Sequence, residues 1–486
     1  MSKTFRAWKI DEPLLLPPVV QDFVAKDHLA RFLLGLVMDE LDPIEIAVTY
    51  SGMKGQPPFD PQMMTALLLY AYCRGIYSSR RIAQACRERV DFMSIAALDP
   101  PDFRTISGFR KRHLKALAGL FVQVLKLCGK AGLVKLGHVA LDGTKIKANA
   151  SKHKAMSCER MEKRAAELEA EVAKWLSAAE AAGAEEDKLY GRDKTGEEMP
   201  DWVADKKRRA EAIRAAKAEL EAEAEAAAEA KAKEEAAAEQ KRQAEGRKKP
   251  GPKAAPPSGE PDPKAQKNFT DPESRIMKSK DGFVQAYNAQ AAVDAEAQII
   301  VAQGVTQDAN DKHQLVPMTD AVETNPGRKP EQLSADSGYC SNANLEALET
   351  RGIDGYIAPG RTKDAADGTD EASVADLPAD AAPPAGDCPA ASPEPAGAPT
   401  RVEAMREKIK AGGHGSPYRL RKQLPEPVSG QIKQARGFRQ FLLRGIEKVQ
   451  AEWGIVCTAH NLPKLAQGRS LSAAQSTAFE ARLAVA

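Results

Sequence analysis

His138-Val139-Ala140-Leu141-Asp142-Gly143-Thr144-Lys145-Ile146 is the stretch on which the fold turns. An apolar run carries a carboxylate, and the pair Asp-Gly follows it. The run predicts a buried strand over residues 137–142 with Asp142 at its end, where Asp-Gly also suits a tight turn. Two further segments set a carboxylate at a structural boundary. Leu333-Ser334-Ala335-Asp336-Ser337-Gly338-Tyr339 carries Asp336 off a strand expected at 331–336. Glu426 lies between Pro425 and Pro427, which places it at a helix start, where the helix dipole favours an anion. Each also has a plainer reading: a turn at Asp142, a capped turn at Asp336, an exposed helix residue at Glu426.

The surrounding chain supplies a frame for these strands. Residues 20–135 read as helical. Pro61 to Arg74 opens with proline and continues as a buried helix, and Ser78 to Val90 begins with a capping serine and has a basic outer face. Short basic helices of this kind suit either a helix-turn-helix DNA reader or a plain supporting bundle. Residues 152–247 are rich in Ala, Glu, Lys and Arg, and Met161, Ala165, Leu168, Val172 and Leu176 form a narrow stripe like a coiled-coil seam. With a polar break at 182–200 and a second helix at 201–246, this is a helical hairpin, followed by a Pro-rich linker to 266. Strand pattern returns at 282–294 and 297–305 as a hairpin, then a helix at 311–324, the strand at 331–336, a helix at 342–350 and a short strand at 355–358. Residues 361–400 hold eight acidic residues against Arg361 and Lys363 and have the composition of a linker. Helices are expected over the rest, including 438–451. Without the inserts the order is strand, hairpin strands, helix, strand, helix, strand, helix. That is the order of a ribonuclease-H-like mixed α/β sheet.

The net charge of +2 says little, but its distribution says more. From Pro417 to Lys448, eight Lys and Arg face two Glu around Glu426, a local field suited to a phosphate backbone. A solvated basic helix face reads equally well from charge alone. None of the seven cysteines forms a C-x-x-C pair, which points away from zinc knuckles and disulfide frameworks and toward a reducing cytosol. No stretch approaches 18 apolar residues and residues 1–20 lack a signal-peptide core, so a soluble protein with no membrane partner is expected.

Three carboxylates brought together by such a sheet suit divalent ions, which prefer hard oxygen ligands and can drive phosphoryl transfer in pairs about 4 Å apart. The chain resembles the DDE transposases of bacterial insertion sequences, in the branch with a helical N-terminal domain and a long charged insert. The resemblance is carried by DFRTISGFR (102–110), LDGTKIKANAS (141–151), DPESRIMKSKDGFVQAYNAQAAVD (271–294), ADSGYCSNANLE (335–346), EPVSGQIKQARGFRQFLLRG (426–445) and CTAHNL (457–462). Ser429 and Pro425 depart from the residues usual in relatives. Tyr418, Arg419, Arg421, Glu426 and Lys433 supply the residue types of the Tyr–Arg–Glu–Lys signature without clearly keeping its spacing.

The resemblance implies Asp142, Asp336 and Glu426 as the catalytic, metal-binding triad, with Mg2+ as cofactor and Mn2+ as a substitute. It implies double-stranded DNA as substrate, both element terminal inverted repeats and target, and a homodimer in a synaptic complex. Lys433 would meet a terminal phosphate, with Lys145, Lys147, Arg421, Lys422, Arg436 and Arg439 as further DNA contacts. The expected location is the bacterial cytoplasm, at the nucleoid. A catalytically decayed DNA-binding or scaffold derivative is the alternative. Asp281, Asp294, Asp308, Asp311 and Asp354 lie near turns and read as structural, as do His138, His313 and His460. The expected organisation is a helical domain at 1–135, core segments at 136–151 and 267–360, the hairpin insert and linker at 152–266, an acidic linker at 361–415 and the final core part at 416–486.

Overall fold

The computed structural model describes residues 19–50, 57–151, 154–190, 201–244, 259–263, 265–279, 282–360 and 400–483. The helical unit is α1 (Leu29–Asp39), α2 (Ile44–Ala47), α3 (Pro61–Cys73), α4 (Ser79–Glu88), α5 (Val90–Ile95), α6 (Phe103–Arg112) and α7 (Leu114–Lys130). The Asp60 carboxylate accepts from the backbone N–H of Gln62 (2.7 Å) and Met63 (3.1 Å), and Pro61 takes the first helical position of α3. Met64 through Cys73 are all buried. A helix apolar all round needs neighbours on every side, and α3 has them in α1, α5, α6 and the C-terminal helix.

β1 (His138–Lys147) leaves this unit and enters the sheet. The chain then makes its excursion: β2 (Ala155–Ser157), α8 (Cys158–Tyr190), α9 (Asp201–Ala244) and β3 (Gln266–Asn268). β2 and β3 pair antiparallel and close the base of the hairpin. Met161 and Leu168 of the expected stripe pack on Ala210, Ile213 and Leu220 of α9, a core separate from the main one. Ala165 is partly buried there and Val172 half-buried, while the Leu176 side chain lies outside the described residues.

β4 (Arg275–Ser279), β5 (Gly282–Asp294), β6 (Ile300–Thr306), α10 (Leu315–Thr324), β7 (Gln332–Ala335), α11 (Asn342–Arg351) and β8 (Asp354–Ile357) complete the sheet, in the order β4-β5-β1-β7-β8. β5 runs antiparallel to β1, and its outer edge is shared between β4 and β6. β1, β7 and β8 are parallel, with α10 and α11 in the crossovers that parallel strands require. This is the expected ribonuclease-H-like α/β core beside a helical N-terminal unit. After residue 400 come α12 (Arg401–Gly412), α13 (Leu420–Gln423), α14 (Pro425–Gly430) and α15 (Ile446–Leu483). α15 runs along α3, α7 and β6 and joins the helical unit and the sheet in one core.

Three expectations are corrected. β1 does not end at Asp142: Gly143 through Lys147 keep pairing with Gln290 through Ala286, so Asp142 lies within the strand and Asp-Gly is no turn. The acidic linker expected to reach 415 gives way at Thr400 to α12, started by a capping box in which Thr400 and Glu403 each accept from the other's backbone N–H; residues 361–399 lie outside the described ones. Residues 438–445 are not helical. Gly437 and Gly445 take φ of +72° and +85°, and the segment between lies along β1, with Lys147 N–H donating to Arg439 O and Phe441 N–H to Lys147 O. β2, β3 and β4, short and polar in part, were not anticipated.

Candidate metal and DNA site

The register of β1 on β7 runs from His138↔Gln332 to Leu141↔Ala335. Asp142 and Asp336 are the next residues on these two neighbouring strands, which lie about 4.8 Å apart. α13 crosses above both strands. From it the Arg421 guanidinium reaches down, with Nη2 3.7 Å from Asp142 Oδ1 and 3.6 Å from Asp336 Oδ2. Asp336 Oδ1 meanwhile accepts from Gly338 N–H at 2.9 Å and caps the turn Ser337–Tyr339. The capping and site readings of Asp336 are therefore compatible, one oxygen serving each.

Burial pushes the Asp142 carboxyl up, and the neighbouring carboxylates Asp336 and Asp311 add to it; Arg421 opposes them, and the result is about 6. Asp311 lies at the bend before the turn Lys312–Gln314, as its reading near a turn expected. Along β1, Gly143 and Lys145 face the opposite side of the sheet from Asp142 and Thr144. On that side Asp311 Oδ1 accepts from Asn288 Nδ2 (2.5 Å) and Gln290 Nε2 (2.7 Å), and Lys145 Nζ lies 3.7 Å from Oδ2. The missing side chain of Gly143 makes room: a Cβ there would lie 2.5 Å from Gln290 Nε2 and closer still to Asp311 Oδ1. The sequence did hold a signal for this face. Asn288 and Gln290 are polar residues two apart in an otherwise apolar strand, and so share one side.

Glu426 lies in the first turn of α14, exposed. α14 packs on β1 and β5, yet no three of His, Cys, Asp or Glu among the described residues are gathered to hold one metal ion. Asp142 and Asp336 are brought together; Glu426 is not brought into their group. The pair fits a hard cation in its chemistry, because a cationic group, that of Arg421, already lies within 4 Å of both carboxylates.

The remaining cations divide. α14 continues into a π-helix at Gln431–Ala435, and Lys433 Nζ donates to Thr144 Oγ1 and, at 2.8 Å, to Lys145 O. Lys433 thus lies against β1 on the Asp142 face. Lys147, Lys422 and Arg439 are exposed. Arg436 turns inward, its Nη1 buried and without a partner, while Tyr77 donates to its carbonyl. Arg421 faces the carboxylates rather than open surface.

Asp294, His138 and His460 make bonds within the fold. Asp294 accepts from Leu136 and Glu296 N–H, and His138 bonds to Gln332 and Ser334 across the β1–β7 pair. The block at 457–462 acquires a task. Asn461 accepts from Ile300 N–H and donates to Ile300 O, both at 2.9 Å, and His460 contacts Gln298 O, which fastens α15 to the start of β6. Asp281 lies outside the described residues.

Among known families, the one described as Transposase domain (DUF772) matches residues 18–112, and the one described as Transposase DDE domain matches residues 260–462. No curated protein and no solved structure gives a match. Among the described residues no helix is long and apolar enough to cross a membrane. The first family covers most of the helical unit, and the second spans β4 to β8, the Asp336 turn and α13–α14. In that order along one chain, they show that it belongs to the DDE transposases of insertion sequences, enzymes of DNA transposition.

Proposed function

We propose that this transposase cleaves the ends of its element and joins the freed 3′-hydroxyl to target DNA by divalent-metal phosphoryl transfer, with Mg2+ as the ion and Mn2+ able to replace it. The observation that supports this most directly is the pair Asp142 and Asp336 on adjacent strands with a cation between them. Bound divalent ions would supply an activated nucleophile and neutralise charge on the leaving oxygen. The work of the chain is positioning. Asp142, held within β1, and Asp336, held at a capped turn, present their oxygens from rigid backbone. Glu426 completes the triad when α13 and α14 shift over the sheet, a movement that also withdraws Arg421 from between the carboxylates. Arg421, once withdrawn, and Lys433 then face phosphate at the mouth of the site, with the exposed Lys147, Lys422 and Arg439 as further backbone contacts, whereas Lys145 is turned to Asp311 and Arg436 inward. Two copies acting on paired terminal repeats form the synaptic unit.

The test is Mg2+-dependent cleavage of a duplex carrying the element's own end, comparing the intact protein with Asp336→Asn. Cleavage lost in the variant with DNA binding kept is the expected result. A second reading, a DNA-binding derivative without catalysis, is favoured by the exposed position of Glu426, which joins no metal-holding group among the described residues. Binding without cleavage by the intact protein in Mg2+ and Mn2+ would select it.

A further inference from the structure

We propose that the face formed by α4 and α6 is a duplex-DNA contact, with α4 in a groove of the element's end and Gln84 reading a base there. This rests on the DNA-cutting reading above and adds to it a recognition surface away from the carboxylate pair.

Three observations carry it. First, the face is basic and its cations are without acidic partners. α4 buries Ser79, Ile82, Ala83, Ala85 and Cys86 and turns Arg80, Arg81, Gln84, Arg87 and Glu88 outward. Positions 80, 84 and 87 follow the helical repeat, so they stand in one row with Gln84 in the middle. α6, packed on α4, adds the exposed Arg104, Lys111 and Arg112. Within the two helices these six cations face one acid, Glu88, and none of the six forms a salt bridge among the described residues. On the hairpin insert, by contrast, Lys163, Arg164, Arg208 and Arg214 each pair with an acid. Cations kept apart from acids suit a phosphate backbone.

Second, the cations stand where the free helix disfavours them. Arg80 and Arg81 lie in the first turn of α4, which holds no acid, and Ser78 before it makes no side-chain bond to the helix. The helix dipole is positive at that end, so two cations there are unfavourable until an anion joins them. The exposed Phe103 ring holds two guanidiniums on the surface, those of Arg80 at 5.2 Å and Arg104 at 5.6 Å from its centre. Gln84, at the centre of the row, has the amide that bonds adenine by two hydrogen bonds. In the free protein its Nε2 donates to Glu88 at 2.9 and 3.1 Å, which keeps the amide on this face.

Third, the face is tied to the segment that carries Lys433. Residues 74–78 lead from α3 into α4. There the Tyr77 hydroxyl donates to Arg436 O at 3.1 Å, and the Tyr77 ring meets Phe438 edge-on with centres 5.0 Å apart. Gly75 lies so close that a Cβ on it would be 2.6 Å from Arg436 O. The buried Arg110 of α6 donates to Tyr77 O at 2.8 Å and fixes the same turn. Arg436 directly follows the π-helix of Lys433. A duplex held by α4 is thus presented to the carboxylates in one register. A bundle that only supported the sheet would need the Tyr77 contacts but not the unpaired row of cations beyond them.

The test is fluorescence anisotropy of the full-length protein in EDTA, with a duplex carrying the element's own end and a scrambled duplex of the same length. Arg80→Gln combined with Arg87→Gln should weaken binding to both duplexes by about tenfold or more and lower the slope of log affinity against log salt by about two. Gln84→Ala should weaken binding by about tenfold for the element's end only. Lys135→Gln, which removes an exposed charge elsewhere, should change neither. Should the double arginine variant fail to fold, Arg104→Gln combined with Lys111→Gln serves, with the same expectation. Unchanged affinity in the arginine variants would overturn the face, and Mg2+-dependent cleavage by wild type would then show that the proposed function stands without it. Gln84→Ala acting on neither duplex, or on both alike, would overturn the reading of a base by α4. Wild type that binds neither duplex would overturn the face and the proposed function together.

Discussion

Replacing Asp142 by Asn should make the folded protein more stable while abolishing its chemistry. The Asp142 carboxyl stands at about 6 in the folded chain against an ordinary 3.8, chiefly through burial. The folded state thus holds the proton more tightly than the unfolded one. The contribution of Asp142 to stability is greatest below about pH 3.8, falls as pH rises toward about 6, and is level above that. At about 1.4 kcal/mol for each tenfold in proton affinity, the cost of the ionised side chain at neutral pH is about 3 kcal/mol. Asn has nearly the same shape and no charge to desolvate, so the variant should gain most of that amount, several degrees in unfolding midpoint. The assay is thermal or urea unfolding in EDTA at pH 7.5 and again near pH 4. The gain should appear at the higher pH and vanish at the lower, and added Mg2+ should stabilise wild type but not the variant. A variant no more stable than wild type at pH 7.5, or equally favoured at both pH values, would refute the argument.

Three other perturbations test separate parts of the molecule. Arg421→Gln removes a positive charge within 4 Å of both carboxylates, and should tighten Mn2+ binding to the DNA-free protein by about tenfold at pH 8; weaker binding would mean that Arg421 helps to hold the ion. Asn461→Ala strips both backbone partners from Ile300 and should destabilise the protein by about 2–4 kcal/mol in urea unfolding, with faster amide exchange at Ile300. Met161→Ala opens a cavity in the hairpin's own core and should cost about 2–5 kcal/mol locally. Hydrogen exchange should then rise in α8 and α9 while β1 and β5 keep their protection.

The sheet was legible because its strands announce themselves in the apolar runs around Asp142 and Asp336 and in the long segment at 282–294. The hairpin was legible from the Met161–Leu168 stripe. Asp311 was not, because its approach depends on the volume that Gly143 leaves empty in three dimensions, and in sequence it is one loop aspartate among several. The same glycine misled the reading of β1: Asp-Gly marks a turn when the glycine supplies conformational freedom, whereas here it supplies space within a continuous strand. Composition masked α12, although Thr400 and Glu403 spell a capping box three residues apart. The helix expected over 438–451 failed at its first half because Gly437 and Gly445 hold left-handed backbone and Phe438 and Phe441 are buried against the core.

The short β2–β3 ladder has a consequence for how this chain can vary. It brings the outgoing and returning ends of a hundred-odd-residue excursion side by side, and the excursion carries its own packing beyond that point. Length gained or lost at the far end of the two helices is therefore invisible to the strands that follow. The hairpin behaves like a handle fixed by a clasp: it can be lengthened, shortened or exchanged for a reporter module at its tip without shifting the alignment of β5 on β1.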